Sequence, residues 1–167
     1  LWLGGWNTIQ RYDDVNGWQQ QTLNSGLIEI IYRDKNDTLW LGGGNGLWRY
    51  QADGWQHQPK VAKNVRTIYE DQDSTLWTSS ENGLWRYEKD GWQHQQINSS
   101  IFRIYQDRDS TLWASGENGL WRYRADGWEQ QNQIIGWISI VYQDRDGTLW
   151  ACGEKGVWHY QADGWQL

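Results

Sequence analysis

Apolar and polar positions alternate along this chain in short runs, and no window sustains the 3.6-residue period of a helix. The runs are rich in Trp, Tyr, Ile and Leu, and they are separated by Asn-Gly, Asp-Gly or Asp-rich turns. Aligned on the Leu-Trp pairs at Leu39-Trp40, Leu76-Trp77, Leu112-Trp113 and Leu149-Trp150, they recur at steps of 37, 36 and 37 residues. A period of that size marks a repeat architecture, in which each unit buries its faces only against its neighbours.

Each unit predicts four short strands. Strand A covers 28–33, 65–70, 101–106 and 138–143; strands B, C and D of the first full unit cover 38–42, 47–51 and 55–58. Asn-Gly stands between B and C (Asn45-Gly46, Asn82-Gly83, Asn118-Gly119; Lys155-Gly156 in the last unit). Asp-Gly stands between C and D (Asp53-Gly54, Asp90-Gly91, Asp126-Gly127, Asp163-Gly164). Such dipeptides suit the type I′ turn of a tight hairpin, so each unit reads as an antiparallel meander. Asp between A and B caps the amides of its own turn.

Strand B is apolar on both sides, Leu39 facing one way and Trp40 the other, which fits a sheet sandwiched between two like sheets. Radial stacking of such sheets is a β-propeller. The expected fold is therefore all-β: a β-propeller of about five four-stranded antiparallel blades, spanning 1–21 (partial), 28–58, 65–95, 101–131 and 138–167 of a single domain. The opening copy supplies only B, C and D. The chain opens mid-motif, as a fragment, a mature piece or an engineered unit would. Nineteen strands result where five closed blades need twenty, so an upstream strand, a second chain or imperfect closure completes the account. The rival is a Trp-rich cell-wall-binding solenoid. Its aromatic pairs would be evenly spaced, whereas the steps from Trp40 through Trp48 and Trp55 to Trp77 are 8, 7 and 22.

These residues resemble a known repeat. The run YQDRDGTLWACGEKGVWHY is similar to the two-component regulator propeller repeat: an aromatic, an Asp-Gly turn, Leu-Trp, small residues, then Gly-Leu and Arg-Tyr. The likeness covers Tyr32 to Tyr50, Tyr69 to Tyr87, Tyr105 to Tyr123 and Tyr142 to Tyr160. It implies a periplasmic or extracellular propeller that senses ligands, often glycan fragments, for a transmembrane kinase. The units here are more alike than in such sensors, as recent amplification or design of one blade would make them.

Composition narrows the rest. Hydrophobic content is only 38%, but 16 Trp compensate. Each buries roughly 150–250 Å², on the order of 4–6 kcal/mol gross. Net charge is −6 without a basic stripe, which argues against nucleic acid. No apolar run is long enough for membrane insertion. One Cys excludes an intrachain disulfide.

Candidate chemistry is sparse, and neither a catalytic residue, a metal site nor a cofactor is expected. Arg49, Arg86 and Arg122 on strand C either bind an anion or stack on neighbouring Trp rings, and stacking is the simpler reading. His57 and His94 sit on the outermost strand, where rings diverge too far to share an ion. Asp-x-Asp turns such as Asp144 to Asp146 lack the rest of a calcium loop. Cys152 replaces a small residue and has no partnered base.

The most informative positions are those where near-identical units differ. They are the D–A loops and the start of strand A, the inner strand in the usual propeller order. Glu29, Arg66, Phe102, Arg103 and Trp137 would rim a central channel, joined on the same face by Glu81, Glu117 and Glu154 of the B–C loops. Phe102 and Trp137 would stack on a sugar, with Arg66 and the Glu ring bonding hydroxyls. The expected function is thus a non-enzymatic binding or sensing module with a saccharide or protein partner. The alternative is a structural or interaction scaffold of repeated blades, including a homo-oligomer that completes the ring.

Overall fold

A computed structural model describes residues 1–97, 99–125, 127–161 and 163–167. Among the described residues there are eighteen strands and no helix. They form four successive four-stranded meanders and the three-stranded start of another. The partial sheet comprises β1 (Trp2–Gly4), β2 (Trp6–Asp13) and the first part of β3 (Gly17–Arg33). The first full blade takes the rest of β3 with β4 (Leu39–Gly43), β5 (Gly46–Gln51) and β6 (Gly54–Gln58). The next has β7 (Ile68–Glu70), β8 (Leu76–Ser80), β9 (Gly83–Glu88) and β10 (Gly91–His94). The third has β11 (Ile101–Gln106), β12 (Leu112–Gly116), β13 (Gly119–Arg124) and β14 (Gly127–Gln130). The last has β15 (Ile138–Gln143), β16 (Leu149–Gly153), β17 (Gly156–Gln161) and β18 (Gly164–Gln166).

The count is eighteen because strand D of the partial sheet and strand A of the first full blade run on as the single 17-residue β3. Its Gly17 to Thr22 portion pairs with β2 and its Ile28 to Arg33 portion with β4. The sheets pack face to face as a propeller does, which disposes of the solenoid.

One turn expectation is corrected. Type I′ requires positive φ at both central residues. Here Gly46, Gly83 and Gly119 have φ of 109°, 116° and 124°, while the Asn before each stays out of the left-handed region. The hairpin loop is instead the pair before that Gly, as in Gly44-Asn45 between partners Gly43 and Gly46. The glycine follows as a bulge residue in the strand. The C–D turns repeat this at Gly54 and Gly91, with φ of 101° and 96°. Asp126 of the third such turn lies outside the described residues.

Four buried clusters fill the joints between adjacent sheets. The knob in each is the strand B Trp. Trp40, Trp77 and Trp113 are each 1% exposed. Each donates its indole N–H to the Asp six residues earlier, from Trp40 to Asp34 at 2.9 Å, and to Asp71 and Asp107 at 2.8 Å. The other oxygen of the same carboxylate accepts the Thr38, Thr75 and Thr111 amides. One Asp thus closes the A–B turn and satisfies the only polar atom of a buried ring.

The socket for each knob is a Tyr-Trp pair on the next blade. Trp2 enters Tyr50 and Trp55, Trp40 enters Tyr87 and Trp92, Trp77 enters Tyr123 and Trp128, and Trp113 enters Tyr160 and Trp165. The Trp-Trp contacts are near-perpendicular, at 86° to 90°, an arrangement favoured by the ring quadrupole. The indole N–H groups of Trp55, Trp92 and Trp165 reach no oxygen, and in that geometry a ring face can serve as the weak acceptor. The D–A loops add one apolar plug per joint: Leu23, Val61, Ile97 and Ile134, all buried.

Candidate functional site

The inner strands carry an irregularity that sequence patterning does not show. In β3, β11 and β15 the pairing skips one residue, between Ile28 and Ile30, Ile101 and Arg103, and Ile138 and Ile140. The skipped residues are Glu29, Phe102 and Ser139. In the second full blade the regular ladder starts only at Ile68. There the Arg66 and Thr67 amides both point at the Ser79 hydroxyl, at 3.4 and 3.2 Å. A bulge turns the side chain of the extra residue out of the ladder. In these three blades the skipped residue lines the axis, and Arg66 does so in the second full blade.

The result is one cavity of about 480 Å³ lined by Glu29, Ile30, Arg66, Thr67, Phe102, Arg103, Trp137 and Ser139. Four successive A strands supply it, which places strand A innermost. The size falls within the usual range for small-molecule sites. Glu29, Arg66, Phe102, Arg103 and Trp137 all stand on its wall.

The aromatic groups are arranged differently from a pair of parallel platforms. Phe102 and Trp137 contact each other, with centroids 4.9 Å apart and planes at 39°. The Arg66 guanidinium lies 5.2 Å from the Phe102 centroid. Three residues from three successive blades therefore form one run, cation to ring to ring. Phe102 is half-buried in it, while Trp137 remains 50% exposed and offers open indole surface. Among the described residues, the Arg66, Arg103 and Glu29 side chains have neither a hydrogen bond nor an ion-pair partner. The cavity thus holds two guanidinium groups, that of Arg66 resting on Phe102, and one carboxylate, all without hydrogen-bond or ion-pair partners among the described residues.

The three B–C loop glutamates are not on that wall, although Glu81 lines a small depression of about 50 Å³ with Arg66. Glu81 and Glu117 line a second depression of about 410 Å³ between the second and third full blades, with Asn82, His94 and Asn118. The Glu81 carboxylate already accepts the Asn64 side-chain amide at 2.8 Å. The Glu154 carboxylate lies against Gly136. None of the three lines the axial cavity. Thr67, Ile30 and Ser139 do line it, and the variation of strand A between blades was the available signal for them.

The remaining candidates have structural tasks. Arg49, Arg86 and Arg122 lie over Trp40, Trp77 and Trp113 at 5.3, 5.5 and 5.3 Å. His57 and His94 place Nε2 at 3.2 and 2.7 Å from the Asn45 and Asn82 carbonyls. A carbonyl only accepts, so the imidazole donates; Gln130 donates to the Asn118 carbonyl from the equivalent position. The Asp144 carboxylate is engaged by the Trp150 indole and the Thr148 amide. Its pKa is held below the ordinary carboxylate value, first by a hydrogen bond with Asp146 and then by the Trp150 indole. Among the described residues no group of three His, Cys, Asp or Glu is placed to hold a metal.

Blade-to-blade stacking around an axial cavity decides the fold. The chain is an incomplete β-propeller. No family model and no curated protein matches its sequence, but solved propellers do. The extracellular domain described as that of a one-component system from B. thetaiotaomicron is 22% identical, with a TM-score of 0.71, over 93% of this chain and 25% of that one. Streptogramin B lyase is 18% identical, with a TM-score of 0.67, over 96% of this chain and 61% of that one. A bacterial surface component of the type-IX secretion system of Porphyromonas gingivalis is 12% identical, with a TM-score of 0.65, over 97% of this chain and 31% of that one. The propeller arc therefore spans a quarter of the length of that extracellular domain and about three fifths of the lyase. Extracellular domains described as belonging to one- and two-component systems stand among its structural neighbours, in line with the repeat that the sequence resembles.

Proposed function

We propose that this propeller arc is a non-enzymatic, extracytoplasmic binding or sensing module, and that its ligand is a saccharide carrying a carboxylate. The observation that carries this reading is the convergence of the Arg66 and Arg103 guanidinium groups, neither in an ion pair among the described residues, on a cavity walled by the exposed Trp137 indole. An indole face suits the C–H face of a pyranose ring, and a guanidinium fork suits a carboxylate. Glu29 is placed to accept from hydroxyls. The extracytoplasmic placement draws on neighbours that are extracellular domains of signalling systems. Lyases of this fold are also neighbours. In this chain all three histidines sit on strands C and D, away from the axial cavity.

The test is a binding screen with matched neutral and uronate oligosaccharides. Binding of uronates that is lost in Trp137→Ala and weakened in Arg103→Gln supports the reading. Equal binding of neutral sugars, or none of either class, overturns it. A scaffold role is the second reading, favoured by the repeated knob-and-socket joints between nearly identical blades.

A further inference from the structure

The axial cavity is continued outwards between the second and third full blades. Arg66 stands on the cavity wall and also lines the small depression of about 50 Å³, with Asn64, Ser80, Glu81, Ser100 and Ile101. Glu81 and Ser100 in turn line the depression of about 410 Å³ together with Asn82, Glu117 and Asn118. Shared side chains thus link three hollows in a row: a chamber at the axis, a neck and an outer chamber.

The neck is open because of what one D–A loop puts there. Ser100 occupies the place that Trp137 takes one repeat later. The two loops are held alike, since the Ser100 carbonyl accepts the Glu117 amide and the Trp137 carbonyl accepts the Glu154 amide, both at 3.0 Å. A Cβ on Gly116 would collide with the Ser100 carbonyl oxygen, and one on Gly153 with that of Trp137. On the opposite lip the Lys63 carbonyl accepts the Glu81 amide at 2.9 Å, and the Asn64 side-chain amide donates to the Glu81 carboxylate at 2.8 Å. Hydrogen bonds therefore fix both lips, and a ligand that uses the neck is spared the cost of ordering them.

Shape and charge both change along the row. Each chamber has the size of a small-molecule site. The neck has room for little more than a linking atom, a water molecule taking up roughly 30 Å³. Two ring-sized chambers joined by a thin neck match two sugar rings joined by a glycosidic oxygen. The axial chamber has two guanidinium groups and one carboxylate on its wall, whereas the outer one has Glu81 and Glu117 and neither Lys nor Arg among the described residues. A carboxylate is favoured in the first and opposed by like charge in the second. The Asn82 and Asn118 side chains add neutral donors and acceptors there.

We propose that the ligand is an oligosaccharide with a single acidic unit: the uronate occupies the axial chamber, its glycosidic link passes the neck, and a neutral or amine-bearing sugar lies between Glu81 and Glu117. The inference rests on the axial saccharide reading and adds to it a direction, a length of at least two units and a limit on charge.

Titration calorimetry on the full chain tests it with three ligands: a uronate monosaccharide, the same uronate linked to a neutral hexose, and a homo-diuronate, the disaccharides each in several linkages. The best mixed disaccharide is expected to bind on the order of tenfold more tightly than the monosaccharide and than any diuronate, from a few hydroxyl bonds gained and one like-charge contact avoided. Ser100→Trp places in the neck a side chain that the following loop already carries, and brings the mixed disaccharide down to the affinity of the monosaccharide. Glu117→Gln narrows the gap between the mixed disaccharide and the diuronate. Equal binding of the monosaccharide and every mixed disaccharide, a diuronate bound as tightly as the mixed one, a Ser100→Trp chain that still tells one unit from two, or a gap untouched by Glu117→Gln each overturns this inference. In those cases uronate binding that is lost in Trp137→Ala leaves the axial reading standing, whereas the absence of any uronate binding overturns both.

Discussion

Trp77 donates its indole N–H to Asp71 at 2.8 Å while its ring stands at 90° to Trp128 of the following blade. The Asp lies within the same blade as the Trp, and the facing ring lies in the next. A single side chain therefore ties the closing of a turn to the packing of a joint. Asp71→Ala leaves that buried N–H unsatisfied and frees the Thr75 amide as well. The expected loss is about 2–4 kcal/mol, from one unsatisfied buried donor and one lost charge-assisted bond, read from chemical denaturation. The same change at Asp144, whose Trp150 is partly exposed, is expected to cost less than at Asp71.

The knobs divide in the same way. Trp77→Ala empties a joint and is expected to cost about 3–5 kcal/mol. Trp150→Ala is expected to stay within about 1 kcal/mol of wild type, because its ring is 36% exposed and packs on His159 of its own sheet. Equal losses at the two positions would contradict the knob-and-socket account.

Alkali is expected to loosen the joint between the first and second full blades. Burial, and then the neighbouring Glu70 carboxylate, push the Tyr32 hydroxyl up to about 12 from an ordinary 10.0. A raised folded pKa contributes stability that is complete below 10 and is lost as pH rises towards 12. Denaturation midpoints should therefore fall between pH 10 and 12. Tyr32→Phe should flatten that part of the decline, and a slope unchanged by the substitution would remove Tyr32 as its source.

Backbone conformation supplies a stabilising change. Asp37, Ser74 and Ser110 all adopt φ near 62–63° at one place in the A–B turn, where the last blade has Gly147. A left-handed non-glycine residue costs roughly 1 kcal/mol. Asp37→Gly gives up only an exposed ion pair with Arg33, worth little. The variant should raise the thermal midpoint by a few degrees; a lowered midpoint would show that the turn depends on the Asp side chain.

At the axial cavity, Phe102→Ala should weaken ligand binding less directly than Trp137→Ala, because Phe102 is half-buried beneath its neighbours and Trp137 carries the open surface. Titration calorimetry with the best uronate ligand separates the two. A larger loss at Phe102 would move the contact surface onto that ring.

The amino-acid sequence by itself determined the repeat, the four strands per unit and the knob positions. These follow from local chemistry: the period of the Leu-Trp pairs, the glycines at the hairpins and the Asp in each A–B turn. It also marked Glu29, Arg66, Phe102, Arg103 and Trp137, because units otherwise alike differ there. Tertiary structure decided what spacing cannot encode. The inner-strand bulges aim Glu29 and Phe102 at the cavity, since the slip of a ladder depends on the partner strand. Glu81, Glu117 and Glu154 do not line that cavity; Glu81 and Glu117 face each other across a depression between neighbouring blades. Each D–A loop also buries one apolar residue, Leu23, Val61, Ile97 or Ile134, in a joint built by two sheets. Trp40 and Trp150 occupy the same place in the repeat, and only the presence of a following blade makes one core and the other surface.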